Sequence, residues 1–325
     1  MYKILEFREK IKVLYSKYSM YIDAALKFII ALVGMIVINS SIGTMSVLKN
    51  PLVVVIVALV GALVPKSITV MILMLTIVAH VFSIAMEAAA VVLVIFVLMY
   101  LLFFRFTSKE SIVLVIMPVL FFLNIPYILP ILLGLAASPV SIVSVAFGTL
   151  VYFILNVIGQ NYDAIVKLGN EDGFKVLSML IDDIFANPAF YFTIIAFAMV
   201  LVLVYALKRL SMDYSWIIAA CTGGIFEIIV FVIGNVMLDM SLVCSVLSAV
   251  LGGLISVALA WFLQFFIHSV DYTRTERVQF EDDDYYYYVK AVPKVKVATS
   301  EMKNDRVRKV NAKQSKKAES VKTKE

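Results

Sequence analysis

SIVLVIMPVLFFLNIPYILPILLGLAA, residues 111–137, is an apolar run with its own interruptions. It exceeds the roughly 20 apolar residues that cross a bilayer, yet it carries Pro118, Asn124, Pro126, Pro130 and Gly134. A proline inside a helix removes a hydrogen bond and crowds the preceding turn, so the helix kinks or ends there. The spacing predicts two short helices that turn near Asn124-Ile125-Pro126.

What surrounds this run fixes its importance. The chain of 325 residues is 62% hydrophobic and 16% charged, with a mean hydropathy of +0.99. Soluble domains carry about 45–50% apolar and about 25% charged residues. The fold class expected is therefore all-α, a polytopic transmembrane helical bundle in contact with the lipid bilayer. Apolar runs fall at about 22–46, 51–64, 67–86, 88–104, 111–137, 139–158, 189–208, 214–237 and 241–268. Asn50-Pro51, Asn187-Pro188 and Ser138-Pro139 each set a capping residue before a proline, a pairing suited to the first turn of a helix.

Charge then orients the spans. Residues 1–20 read as an interfacial amphipathic helix, with Ile4, Phe7, Ile11, Leu14, Tyr15 and Tyr18 at helical spacing and Lys3, Arg8, Lys10, Lys12 and Lys17 between them. Of 28 Lys and Arg, 14 follow His268. Basic segments stay in the cytoplasm, so both termini are expected there, in a multi-pass protein of the cell membrane. Nine simple crossings would separate the two ends. A break in 111–137 restores the parity, giving eight complete spans if that segment re-enters and ten if each half crosses. Arg105, Lys109, Lys208 and Arg209 then lie inside, the acidic loop 159–188 lies outside, and only Lys49 breaks the rule. Within that loop, Asp172–Ala186 has a second amphipathic pattern, with Phe174, Leu177, Leu180, Ile181, Ile184 and Phe185 on one face. Such a helix lies on the outer surface, lids the bundle, or merely connects.

A possible parallel internal repeat pairs GALVPKSITV (Gly61–Val70) with GLAASPVSIVSV (Gly134–Val145), and LMYLLFFRFTS with LVYALKRLS. Interrupted repeats are characteristic of transporter folds; chance recurrence in apolar sequence is the plainer account.

Five residues are candidates for a transport path. Glu227 stands mid-span in CTGGIFEIIVFVIGN, and an ionisable group at that depth faces the bundle interior and marks proton or cation pathways. Its structural alternative is a protonated acid bonded to a neighbouring helix. Thr76, His80, Ser83 and Glu87 follow at i, i+4, i+7 and i+11, a stripe along one helix face, either lining a path or packed against another helix. Asn124 and Pro126 sit at the break. In the last span Ser241, Ser245, Ser248, Gly252, Ser256 and Ala260 form a small-residue stripe, a packing seam within the bundle or between subunits of a homo-oligomer.

Cys221 and Cys244 suggest neither a disulfide framework nor a metal site. The phosphate-cradling, H-E-x-x-H and G-x-S-x-G signatures are missing from the sequence. The chain is expected to be no enzyme, to need no cofactor and to bind no nucleic acid.

Residues 269–325 form a cytoplasmic tail. From residue 298 onward it is polar, basic and expected to be disordered. Residues 280–294, FEDDDYYYYVKAVPK, differ: tyrosines and Val-Lys-Ala-Val favour a strand, and Pro293 ends it. Phe280, Glu281, Asp282, Asp283, Asp284, Tyr285, Tyr286, Tyr287 and Tyr288 are candidates for docking a cytoplasmic protein partner by strand addition. The alternatives are pairing with a segment of the same chain or lying on the headgroups. The box RTERVQFEDDDYYYYVKAVPK, following a bundle of this length, resembles a family of polytopic membrane proteins of Gram-positive anaerobes, loosely labelled ABC transporter permeases. The resemblance implies a bacterial cell membrane and a permease-like role. Two functions stand: a transporter or permease-like subunit with a docking tail, and a membrane scaffold for envelope assembly or division.

Overall fold

A computed structural model describes residues 2–107, 110–171, 173–210, 214–238, 246–267, 276–281 and 286–291. The elements in order are α1 (Tyr2–Ser41), α2 (Ser46–Lys49), α3 (Pro51–Leu63), α4 (Lys66–Phe82), α5 (Met86–Thr107), α6 (Val113–Phe122) and α7 (Ile128–Ala136). They continue as α8 (Ser141–Gln160), α9 (Tyr162–Glu171), α10 (Gly173–Phe185), α11 (Pro188–Lys208), α12 (Ser215–Leu238) and α13 (Val246–Ile267). Strands β1 (Glu276–Glu281) and β2 (Tyr286–Ala291) follow. Residues Met20–Phe265 make one compact unit, and Met1–Ser19 with Phe266–Glu325 make another.

Local chemistry sets the helix starts. The Asn50 side chain accepts from the Leu52 amide at 3.0 Å, and the Asn187 side chain from Ala189 at 2.9 Å. Each satisfies a first-turn N–H, while the following proline has none to satisfy. Ser138-Pro139 behaves differently. It lies in a turn, and α8 begins at Ser141 behind Val140, which makes no side-chain cap.

The unit Met20–Phe265 is a helical bundle with an apolar exterior. Leu52, Leu63, Met86, Val236 and Met237 are among many large hydrophobic side chains left exposed. In water such a surface would aggregate; in lipid tails it is at home. Among the described residues, five helices are long and apolar enough to cross a membrane, with their spanning stretches in α1, α8, α11, α12 and α13. The chain is an integral membrane protein. That count falls below the eight to ten expected, because α3, α4 and α6 are shorter. Turns at Val64-Pro65 and Ser83–Ala85 cut these runs.

The break in 111–137 takes a definite form. The helix α6 ends in a Schellman motif. The Ile125 amide bonds to the Leu120 carbonyl at 2.8 Å and the Asn124 amide to Phe121 at 2.9 Å. Asn124 holds the left-handed position, with φ 60°. Pro126 follows, and Pro130 falls third in α7, where no helical hydrogen bond is lost. The chain then doubles back. Ser141 Oγ donates to Glu110 Oε1 at 2.8 Å and Ser144 Oγ to Oε2 at 3.1 Å, so the start of this hairpin meets the start of α8. Phe121 stacks on Tyr152 at 4.0 Å, which lays α6 along α8 in the same direction. The other arm packs on α11, with Gly134 against the Leu201 carbonyl and Val204.

Two lysines cap the carbonyls that these short helices leave open. Lys27 Nζ reaches the Val64 carbonyl at 2.9 Å, and Lys208 Nζ the Leu135 carbonyl at 2.6 Å. The glycines of the two repeat-like stretches meet different partners: Gly61 lies against Thr69 and Ala31, Gly134 against α11.

The amphipathic helix α10 packs on α5 and α8 with Val176, Leu180 and Ile184 buried, while Phe174 stays exposed. Its Asp183 accepts from Asn161 at 3.0 Å. It covers the bundle rather than serving as a bare connector.

In the other unit, α1 has a non-helical Tyr18 (φ −118°, ψ 23°), where the amphipathic pattern gives way to the apolar one. β1 and β2 pair antiparallel, with Phe280 opposite Tyr287 and Glu281 opposite Tyr286. The tyrosine strand thus takes a partner from its own chain. Asp282, Asp283, Asp284 and Tyr285, the basic stretch from residue 298, and Ser241 and Ser245 lie outside the described residues.

Candidate functional site

Glu227 is fully buried in α12, which packs against α11 and α7. The residues one turn to either side show what its helix face meets. On one side Gly223 closes on Val204 and Ile131. On the other, Phe231 meets the rings of Tyr127 at 4.9 Å and Phe197 at 5.2 Å. Between these apolar layers both Glu227 carboxyl oxygens lie buried without a hydrogen-bond partner. A bare carboxylate in such a place costs several kcal/mol. The group must carry a proton or meet a cation. The adjacent Gly224 lets α13 approach closely at Val257.

Tyr127 joins this layer to the broken segment. It precedes α7, and its hydroxyl lies 3.3 Å from Ser248 Oγ on α13. Gly252 packs on its ring, Ser256 bonds back to the Gly252 carbonyl at 2.6 Å, and Ala260 is buried. The described part of the small-residue stripe is therefore a seam within the bundle.

Asn124, three residues earlier, lines a cavity of about 290 Å³ between α1, α6 and α8. Pro126 beside it is buried and closes the turn. Asn156 and Gln160 of α8 line the same cavity and bond to each other at 3.1 Å.

His80 and Glu87 belong elsewhere. The stripe expected from Thr76 to Glu87 does not run along one helix, because α4 stops at Phe82 and Glu87 lies in the first turn of α5. Two hydroxyls compete for the last carbonyls: Thr44 Oγ1 and Ser83 Oγ both reach the His80 carbonyl, at 2.6 and 2.7 Å. His80 is fully buried, its Nδ1 accepts from the Met45 amide at 3.2 Å, and its Nε2 lies buried without a partner. Thr76 bonds to the Leu73 carbonyl of its own helix at 2.7 Å. Glu87 is half-buried against Gly173, where a Cβ would come within 2.6 Å of its Cγ. That places its carboxylate at the start of α10, the favourable end of the helix dipole.

The fold thus joins Asn124, Pro126 and Glu227 through Tyr127, while His80 and Glu87 hold the α2 loop and α10. Sequence reasoning missed Tyr127, Asn156, Gln160 and Glu110. Asn156 and Gln160 had a signal in their i, i+4 spacing near a helix end; Glu110 had none, since its partners lie 31 and 34 residues away. Among the described residues no group of three His, Cys, Asp or Glu converges to hold a metal ion. No protein-family model, curated protein or solved structure matches the chain.

Proposed function

We propose that the chain is a permease-type subunit of a bacterial cell membrane, with Glu227 as the group that carries a proton or small cation. The observation that supports this most is the Glu227 carboxyl, fully buried with both oxygens unpartnered, beside a helix that breaks within the bundle. Stability alone does not call for a carboxyl there, and interrupted helices recur where transporters bind their cargo. Both termini face the cytoplasm in this account, by the distribution of Lys and Arg. Glu227 has no hydrogen-bonded nucleophile or base beside it, so no catalytic step is assigned.

The test uses the full chain in liposomes loaded with a pH-sensitive dye, under an imposed potential and with a panel of solutes. Wild type should show solute- or potential-driven proton uptake, and Glu227→Gln should lose it while staying monodisperse. Equal fluxes in the two would remove the proposal.

A second function, a scaffold that recruits a cytoplasmic partner through the tail, draws on the β1–β2 hairpin, because a two-stranded sheet leaves outer edges for strand addition. Affinity purification with and without residues 276–294 tests it: recovered wall-synthesis or division proteins favour the scaffold, a recovered ATPase the permease.

A further inference from the structure

The cavity at the tip of the broken segment has a chemistry of its own, separate from Glu227. Its polar wall is made of Ser41, Asn124, Asn156 and Gln160, and none of the described residues lining it is charged. An ion entering there would shed water without meeting a countercharge, which is costly in a low-dielectric setting. An amide offers both two donors and an acceptor. The Asn156–Gln160 bond uses the Asn156 oxygen and the Gln160 nitrogen. That bond leaves over the Asn156 NH₂ and the Gln160 carbonyl, a donor and an acceptor on neighbouring turns of the lining helix. A hydroxyl group, which donates and accepts at once, satisfies such a pair.

Two further features narrow the ligand. Tyr152, half-buried, and Phe122, exposed, bring aromatic rings to the cavity wall, where the C–H face of a sugar ring can pack. The stack of Tyr152 on the buried Phe121, with 6° between their planes, holds the Tyr152 ring in place. The cavity, about 290 Å³, falls just below the range of small-ligand sites, roughly 300–1,000 Å³. It takes one ring-sized group. Val37, Pro118 and Leu155 line both this cavity and a narrower, wholly apolar one of about 30 Å³ between α1, α4, α6 and α8. A polar mouth over an apolar throat suits a head group with carbon atoms attached behind it.

We propose that this cavity binds an uncharged, hydroxyl-bearing ring, either as the head of a glycolipid or as a free sugar. The ring's hydroxyls bond to Asn156, Gln160 and Asn124, its C–H face lies against Tyr152 and Phe122, and any alkyl substituent points toward Pro118.

The experiment places the full chain in phosphatidylcholine nanodiscs, prepared without glycoside detergent. Octyl glucoside below its micellar concentration, glucose, and an octyl phosphocholine of equal chain length are titrated separately. Melting temperature and hydrogen exchange of residues 121–127 and 152–160 are read. The glucoside should raise the melting temperature and protect both segments, and the phosphocholine should bind at least about tenfold more weakly. Asn156→Leu and Gln160→Leu should each weaken glucoside binding by roughly fivefold to tenfold, the value of one lost hydrogen bond. Gln160 is exposed, so its substitution leaves the fold intact should Asn156→Leu perturb it. Glucose binding as tightly as the glucoside identifies a soluble sugar; binding only of the glucoside identifies a lipid-borne head. Equal binding of the phosphocholine, unchanged glucoside binding in Gln160→Leu, or no binding in any arm overturns the proposal. Glu227→Gln should leave the glucoside affinity unchanged, which separates this site from the flux proposal.

Discussion

Ser141 gives its hydroxyl to Glu110 at 2.8 Å, and this contact returns the hairpin of α6 and α7 to the end of the bundle where it began. Ser144 occupies the other carboxylate oxygen, and both serines are fully buried. Glu110→Ala would strand two buried hydroxyls, so it should lower unfolding free energy by about 2 kcal/mol. Glu110→Gln should recover part of the loss, since its carbonyl still accepts one bond. Equilibrium unfolding in mixed micelles measures both, and equal stability of Glu110→Ala and wild type would remove the role.

Asn124 caps α6 in the left-handed region. Asn124→Gly should be close to neutral. Asn124→Val should cost about 1–2 kcal/mol, the penalty a branched L-residue meets at positive φ. The order of melting temperatures, glycine above valine, checks the cap directly.

Glu227 makes no hydrogen bond to weigh against its burial. Glu227→Leu should therefore keep stability or raise it by about 1 kcal/mol, as replacement of uncompensated buried polar groups does. A loss of several kcal/mol would reveal a structural partner and deprive the transport proposal of its basis.

Gly134 permits α7 to touch the α11 backbone, since a Cβ there would stand 2.9 Å from the Leu201 carbonyl oxygen. Backbone cannot step aside as a side-chain tip does. Gly134→Ala should cost about 1–3 kcal/mol by overpacking. Gly169→Ala is the control, because its new Cβ would meet only the Ala85 methyl at 3.2 Å. Equal melting of the two variants would contradict the close contact.

Orientation has its own measurement. With Cys221 and Cys244 replaced by serine, Lys167→Cys, at an exposed position of α9, should react with an impermeant thiol reagent on intact cells, and Ser300→Cys should stay silent. The reverse pattern would invert the proposed topology.

What the sequence made legible was local. Asn50-Pro51 and Asn187-Pro188 started helices because cap and proline act on their own turn. Asn124 and Pro126 broke the long apolar run for the same reason. The stripe through His80 failed because α4 stops at Phe82, where the Ile84 amide turns to Val81 while the hydroxyls of Ser83 and of Thr44, far along the chain, compete for the His80 carbonyl. Apolar periodicity carries no trace of that competition. Nor does it show that Glu110 meets α8, or that Tyr127 lies over Phe231, since those pairings depend on which helices become neighbours. Glu227 was conspicuous by depth alone; that both its oxygens lack partners emerged only from the packing around it.

The arms of the hairpin, 10 and 9 residues long, extend about 15 and 14 Å, half the hydrocarbon thickness of roughly 30 Å. Neither can settle in lipid by itself during synthesis. The first packs on α8 and the second on α11, both made later in the chain. Membrane insertion of this protein should then follow a schedule, in which an early segment stays uncommitted until its later-made neighbours arrive.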